Sequence, residues 1–474
     1  MLRFFKVNDP YRLLFLLVLM LLLRVPFYWN GITALLPDLH HMLIGERLAT
    51  GNTLYQDIWV NIGPLSASFF ALLHWLFGKS IITYHVIGFM LMFIQAMLFN
   101  RLTLVNKIYT ENNYVPAVIY AILMSVSVDM FAVNPVMLAN TFILLAMNNI
   151  FSQVEFRAKR DEQILSIGIY LGVASLFYFP TILFGLISIL GLALFSATIL
   201  RRYLLIFYGL MLPFLVIGTY YFFIDNTSEA VSVFFSSWLD DVDYRLDRVA
   251  IMSLCAAPLL FLILAIFRVI QGARFSNYQA RIAQMMIFWI VLSLLLLIKP
   301  PSGMSDLIVF VPAIAYFITH YFILSRKRIL SGITFILFIV LIVGLSYASH
   351  FKQSVVTKYV DYKPLSILKS RYDNLLNGQK VWVIGNDLHM YKNSTLASKY
   401  YNWQTYGAQV IEGVNDPNQI ALVYKDLQVN SPDVIVDQHG LIPHYFLAMP
   451  DISDRYELLE QGVYVKKGFQ LVPL

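Results

Sequence analysis

The sequence is poor in the residues that usually carry a soluble protein's chemistry and solubility. It has one cysteine in 474 residues, Cys255, set in the apolar run MSLCAAPLLFLILAIF. That excludes an internal disulfide and a CxxC metal-ligand pair. Charged residues make up only 13% of the chain against about 25% in soluble folds, while 59% is hydrophobic and the mean hydropathy is +0.68. Such a composition excludes an ordinary soluble domain and points to a polytopic membrane protein. No internal period of 20–50 residues and no low-complexity tract is evident, which argues against a repeat architecture. The net charge of +6 requires no nucleic-acid partner, because Lys and Arg gather in the cytoplasmic loops of membrane proteins. The basic start MLRFFKVNDPYR runs into an apolar stretch without a small-residue cleavage site, and reads as a retained first helix.

Apolar runs are what the chain has in abundance. A bilayer span needs about 20 residues. Runs of suitable character lie at 11–29, 81–100, 114–130, 133–151, 164–179, 180–200, 203–224, 250–270, 283–299, 307–325 and 329–349, with Pro180 breaking two neighbours apart. The piece 65–78, LSASFFALLHWLFG, is too short to span and suits an interfacial or re-entrant segment. Charge supports that choice. RFFK, Arg101 with Lys107, FRAKR, Arg201–Arg202, Arg268 with Arg274 and Arg281, and SRKR all face the cytoplasm only if 65–78 does not cross. The expectation is therefore eleven spans over 1–350, the N-terminus inside and the C-terminus outside.

Outside the membrane the sequence predicts a first loop over 30–80, a loop at 225–249, the short KPPSGMSD, and a separate domain over 351–474. In that last part VWVIG and PDVIVD read as buried strands, with an amphipathic helix near 417–429 between them. YELLEQGVYVKKGFQLV reads as a strand pair turning at Gly462. A small α/β domain follows.

The first loop holds the densest cluster of polar chemistry, PDLHHMLIGERLATGNTLYQDIWVNIGPL. Asp38 to Gly51 has the pattern of a short amphipathic helix, with Asp38 at its start, where a carboxylate favours the helix dipole. Asp38 is thus at least a helix cap. Asp57 stands in the turn after Tyr55 and is equally a turn residue or a site residue.

In this loop the chain resembles the membrane glycosyltransferases of the GT-C type, the relatives of protein mannosyltransferases and aminoarabinose transferases. The resemblance rests on an ordered set: Asp38, ERLATGNTLYQDI, Gly63-Pro64-Leu65, FFALLHW, and Leu76-Phe77-Gly78-Lys79-Ser80 before the next span. It covers roughly the first 100 residues well and the rest in general layout. It implies an enzyme of the bacterial inner membrane that moves a sugar from a polyprenyl-phosphate carrier to an acceptor on the outer face. Neither sugar nor acceptor is named by it, and the other contacts are membrane lipids. It also implies that Asp38 is the general base, with Asp57 as a second carboxylate.

The departing phosphate needs positive charge. Arg47, Lys79, Arg245, Arg248 and Lys299 are the candidates on the outer side, and Tyr55 belongs to the loop of Arg47 and Lys79. Lys299 at a span's end is equally a snorkelling lysine. Arg24, inside the first span near its outer end, is either a site residue or another snorkelling cation. A divalent metal ion is the one cofactor these residues admit, through His40, His41 or Asp241 of WLDDVDYR. Adjacent histidines on a helix, however, point about 100° apart. Three positions depart from the family's pattern: Asn61-Ile62-Gly63-Pro64 replaces a basic residue before Pro-Pro, Tyr178 stands near the place of a lysine, and Met304-Ser305-Asp306 replaces a Tyr or His-Tyr. These departures keep open a non-catalytic scaffold of the same fold. A transporter is also weighed, but it would show breaks or charges paired between two halves.

Overall fold

The computed structural model describes residues 2–7, 9–29, 31–32, 34–156, 160–195, 199–236, 244–272, 275–325, 327–401 and 407–468. The chain divides into two compact units. The first comprises 1–33, 82–220 and 246–364, and the second 34–81, 221–245 and 365–474.

The first unit is helical. Its elements are α1 (Arg12–Tyr28), α4 (Ile81–Val105), α5 (Val115–Leu123), α6 (Pro135–Phe156), α7 (Asp161–Phe177), α8 (Phe184–Phe195), α9 (Leu200–Phe223), α11 (Arg248–Gly272), α12 (Asn277–Ser293), α13 (Val311–Ile323) and α14 (Arg328–His350). Among the described residues, seven helical stretches are long and apolar enough to cross a membrane: 81–105, 135–154, 200–223, 248–271, 277–298, 304–323 and 329–350. With 17 residues, α1 and α7 fall just below that length.

One expected span is shorter than its apolar run. Over 114–130 the helix α5 covers only nine residues, all buried, and the chain then turns through a 3-10 turn at Val128–Met130. The cause is polar: Ser125 Oγ bonds back to the Ala121 carbonyl at 2.9 Å, and Ser127 Oγ turns to Asp129. Serines that offer such local bonds compete with helix continuation. α7 and α9 approach closely because both carry glycine at the crossing. A Cβ on Gly168 would lie 2.2 Å from the Ile206 carbonyl, and one on Gly209 2.3 Å from that of Leu165.

The second unit joins the first loop to the C-terminal domain. α2 (Leu36–Ala49) and α3 (Pro64–Phe77) pack face to face, with Gly45 against the Phe70 carbonyl. α3 keeps the 14 residues of its run, as expected for a segment that does not span. The 225–249 stretch contains a helix, α10 (Thr227–Ser236), where the sequence predicted only a loop. The sheet has five strands, β1 (Lys380–Ile384), β2 (Thr395–Leu396), β3 (Val434–Asp437), β4 (Tyr456–Glu460) and β5 (Val463–Lys466), in the order β2-β1-β3-β5-β4. β2, β1 and β3 are parallel, with Trp382 opposite Ile435, and the β4–β5 hairpin runs antiparallel. α15 (Pro417–Val429) lies on the sheet, its N-terminus capped by Asp416. Its Val423 and Leu427 join Trp382, Ile384, Ile435 and Tyr445 in one core. Gly462 turns the hairpin at φ +78°, beneath the Asp437 carbonyl, where no Cβ fits.

Candidate functional site

In the second unit the sequence fixes the start of α2 through Leu35, Pro37 and Asp38. Leu35 is extended, and Pro37 supplies a preset φ in the first turn. Asp38 Oδ2 accepts the Leu35 N–H at 3.3 Å, so the carboxylate closes the helix start. It is 4% exposed. Asp57 Oδ2 accepts the Thr53 N–H at 2.8 Å while its own N–H bonds the Thr53 carbonyl, closing a tight turn. Within that turn Tyr55 takes φ +69°, a conformation costing about 1 kcal/mol or more for a bulky residue. Tyr55 is held there by its hydroxyl, which donates to the Ile62 carbonyl at 2.5 Å, and by the Tyr221 ring at 5.7 Å.

Two of the candidate cations are engaged by the protein itself. Arg47 donates to the Leu396 carbonyl at 3.3 Å and to Asn430 Oδ1 at 3.5 Å. Asn430 in turn donates to Asp426 at 2.8 Å, and the Ser398 hydroxyl bonds the other carboxylate oxygen at 2.5 Å. Lys79 donates to the carbonyls of Tyr391 and Ser394 at 2.8 and 2.9 Å and pairs with Glu46 at 3.3 Å. These contacts pin α2 to the C-terminal sheet. Arg245 is half-buried at the edge of the same unit, and Arg248 is exposed at the start of α11.

His40 and His41 are half-buried on α2. Burial pulls His40 down to about 4 and His41 to about 3, the neighbouring His40 adding to the second effect. Both are therefore neutral at pH 7, and neither offers charge to a phosphate. The His41 ring stacks on Phe70 at 4.7 Å, while His40 sits between Tyr401 and Tyr244 at 5.8 and 6.1 Å. Their ring centroids are 6.3 Å apart at an interplanar angle of 68°. Among the described residues no group of three His, Cys, Asp or Glu is arranged to hold a metal ion. Asp241 lies outside the described residues.

In the first unit, Arg24 on α1 is 2% exposed. Its guanidinium donates to the Phe131 carbonyl at 3.3 Å and lies 4.3 Å from the centre of the Phe131 ring. It thus grips the turn that follows α5. That turn carries a carboxylate the sequence reasoning passed over, Asp129, which is 5% exposed. Asp129 accepts the Ser305 N–H at 3.0 Å and the Ser127 hydroxyl, which also meets the Tyr362 hydroxyl at 2.7 Å. Burial pushes the Asp129 carboxyl up, and the nearby charge of Asp306 adds to this; the bonds from Ser127 and Ser305 oppose it. Asp306 takes both the N–H and the hydroxyl of Ser302 at 2.7 Å. Asp306 is also close enough to act electrostatically on Tyr178. Lys299 is half-buried and opens this same loop.

The turn is fixed from several sides. Gly88 leaves no room for a Cβ beside the Phe131 carbonyl (2.3 Å), the Val133 N–H bonds the Tyr84 carbonyl at 3.0 Å, and Phe27 packs edge-on to Phe131 at 4.9 Å. A signal for Asp129 was present in SVSVDMF. An ionisable residue inside an apolar run is costly and marks a site. Hydropathy masks it, because the run has the character of a span with the aspartate at its end.

The structure thus gathers Asp38, His40, His41, Arg47, Tyr55 and Asp57 in one unit, and places Arg24, Lys299, Asp129 and Asp306 in the other. The chemistry available is a set of buried or capping carboxylates, neutral imidazoles and cations mostly bonded to protein oxygens.

No family model and no curated protein matches the chain. Among solved structures, it is similar to ArnT from Cupriavidus metallidurans, crystallised bound to undecaprenyl phosphate. The identity is 11% and the TM-score 0.54, and the match covers 96% of this chain and 99% of that one. ArnT is a GT-C aminoarabinose transferase. The fold of this chain is accordingly GT-C-like: a polytopic helical membrane protein with a small C-terminal sheet domain, as the first-loop motifs implied.

Proposed function

We propose that this chain is a GT-C-type glycosyltransferase that moves a sugar from a polyprenyl-phosphate-linked donor to an acceptor at the outer face of the bacterial inner membrane. The observation that carries the reading is the likeness to a lipid-phosphate-binding protein over nearly the whole length of both chains, C-terminal domain included. In this reading Asp38 takes the proton of the acceptor as it attacks, and Asp57 shapes the loop around it. Lys299, Arg245 and Arg248 are the candidate cations for balancing the charge of the departing phosphate, while Arg47, Lys79 and Arg24 bond protein oxygens. No step is assigned to a metal, because no group of three ligating side chains stands together among the described residues.

The test is transfer from an undecaprenyl-phosphate-linked sugar in proteoliposomes, read as released undecaprenyl phosphate. Asp38→Asn is expected to abolish transfer with membrane insertion intact, and transfer at the wild-type rate removes Asp38 as the base. Lys299→Ala should weaken undecaprenyl phosphate binding roughly tenfold, the scale of one lost charge-assisted bond.

A second reading, a non-catalytic scaffold, is favoured by those same bonded cations. It expects no transfer from any donor and no change in the chain's partners when Asp38 is altered.

A further inference from the structure

We propose that the carboxyl ends of β1 and β3 form a binding site for a neutral saccharide, built by Asp387 and Gln438 with His389 beside them. The inference goes beyond the transfer reaction and stands without it.

Topology supplies the site. β1 and β3 are adjacent and parallel, with Ile384 opposite Asp437. From β1 the chain passes to β2 on one side; from β2 it returns through α15 to β3 on the other. The connections leave the two strand ends in opposite directions, which opens a crevice just beyond them. In open sheets with parallel strands, that point is where ligands bind.

Side chains give the site its chemistry. Gly385-Asn386-Asp387-Leu388-His389 follows β1, and Gln438-His439-Gly440 follows β3. The Gln438 N–H bonds the Ile384 carbonyl at 3.0 Å, which fixes one connection to the end of the other strand. The Gln438 side chain lies directly over Gly385, where a Cβ would come within 2.0 Å of Oε1, and its amide donates to the Asp387 carboxylate. His389 Nδ1 is 3.9 Å from the other oxygen of that carboxylate. Asn386, Gln438 and His439 are exposed, and Asp387 and His389 half-buried.

The class of ligand follows by elimination. Neither Gly385–His389 nor Gln438–Gly440 carries Lys or Arg, Lys392 standing further along the first connection, and the Asp387 carboxylate repels an anion, so these two segments offer a phosphate or nucleotide no counter-charge. No three ligating side chains among the described residues are arranged around a cation position. What the strand ends offer is a carboxylate with spare acceptor sites, an amide and the His389 imidazole, groups that pair with several hydroxyls at once. A neutral sugar presents such hydroxyls.

The test uses the full chain in nanodiscs, with neutral gluco-, manno- and galacto-oligosaccharides, read by saturation-transfer NMR and calorimetry. At least one is expected to bind, and Asp387→Asn and Gln438→Ala each to weaken it roughly tenfold or more. Neither inorganic phosphate nor Mg²⁺ should compete. Asp387→Asn keeps the side-chain shape, so it decides the matter if Gln438→Ala fails to fold. No binding by any member, binding unchanged in Asp387→Asn, or displacement by phosphate or Mg²⁺ overturns the proposal. Undecaprenyl phosphate binding should be unaffected by either variant, so failure here is separable from failure of the transferase reading.

Discussion

A carboxylate and two histidines give the sharpest expectations about single residues. Asp129 is buried with its pKa raised by desolvation, so keeping it ionised opposes folding at neutral pH. Asp129→Asn removes the charge while retaining the shape. It should leave the melting temperature unchanged or raise it, and lower transfer if the turn takes part in the reaction. Asp129→Ala leaves the Ser127 hydroxyl and the Ser305 N–H without their acceptor and should cost roughly 1–3 kcal/mol. The histidines act in the opposite sense. His40 and His41 titrate near 4 and 3 in the folded protein and near 6.5 unfolded, so below pH 6.5 the unfolded chain binds more protons. Their contribution to stability is present above that pH and is lost as pH falls through 6.5 towards 4. Thermal melting between pH 7.5 and 4.5 should show the loss, and the double variant His40→Gln/His41→Gln should flatten it. An unchanged slope in that variant would remove the histidines as the cause.

Helix pairs and the sheet follow local rules that the sequence displays more openly. α15 and both strands of the terminal hairpin lie where capping, alternation and the Gly462 turn put them. The α7–α9 crossing does not show itself in that way, because a glycine in an apolar run carries no sign of its partner. Gly168→Ala would drive a methyl into the Ile206 carbonyl and should cost roughly 1–3 kcal/mol, measurable as a lower melting temperature in detergent. Gly218, with open space around its Cβ position, is the matched control and should tolerate alanine. The truncated α5 makes the same point. Hydropathy over 114–130 is span-like, yet Ser125 and Ser127 end the helix through bonds visible only once the turn has formed.

Over the whole molecule, the chain's order and its compact units differ. The loop between the first two apolar helices folds with residues some 310–350 positions later, through Arg47 to Leu396 and Lys79 to Tyr391 and Ser394, and Leu35 pairs with Ser366. A chain ending at residue 364 should therefore lose the order of α2 and α3 as well as the sheet. Hydrogen exchange over 36–77 reads this directly: protection equal to that of the full chain would show that the first loop folds without the sheet.

The sequence by itself determined what depends on neighbours along the chain. Too little charge and too many apolar runs made a membrane protein, period-two apolar stretches made the strands, and the ordered motifs from Asp38 to Ser80 pointed to the GT-C-like fold. Tertiary structure alone decided which cations are engaged, that the histidines are neutral, and that Asp129 is buried against Ser127 and Ser305. The physical reason is that a side chain's charge state and bonding are set by desolvation and by partners brought from distant positions, and neither is written in local pattern.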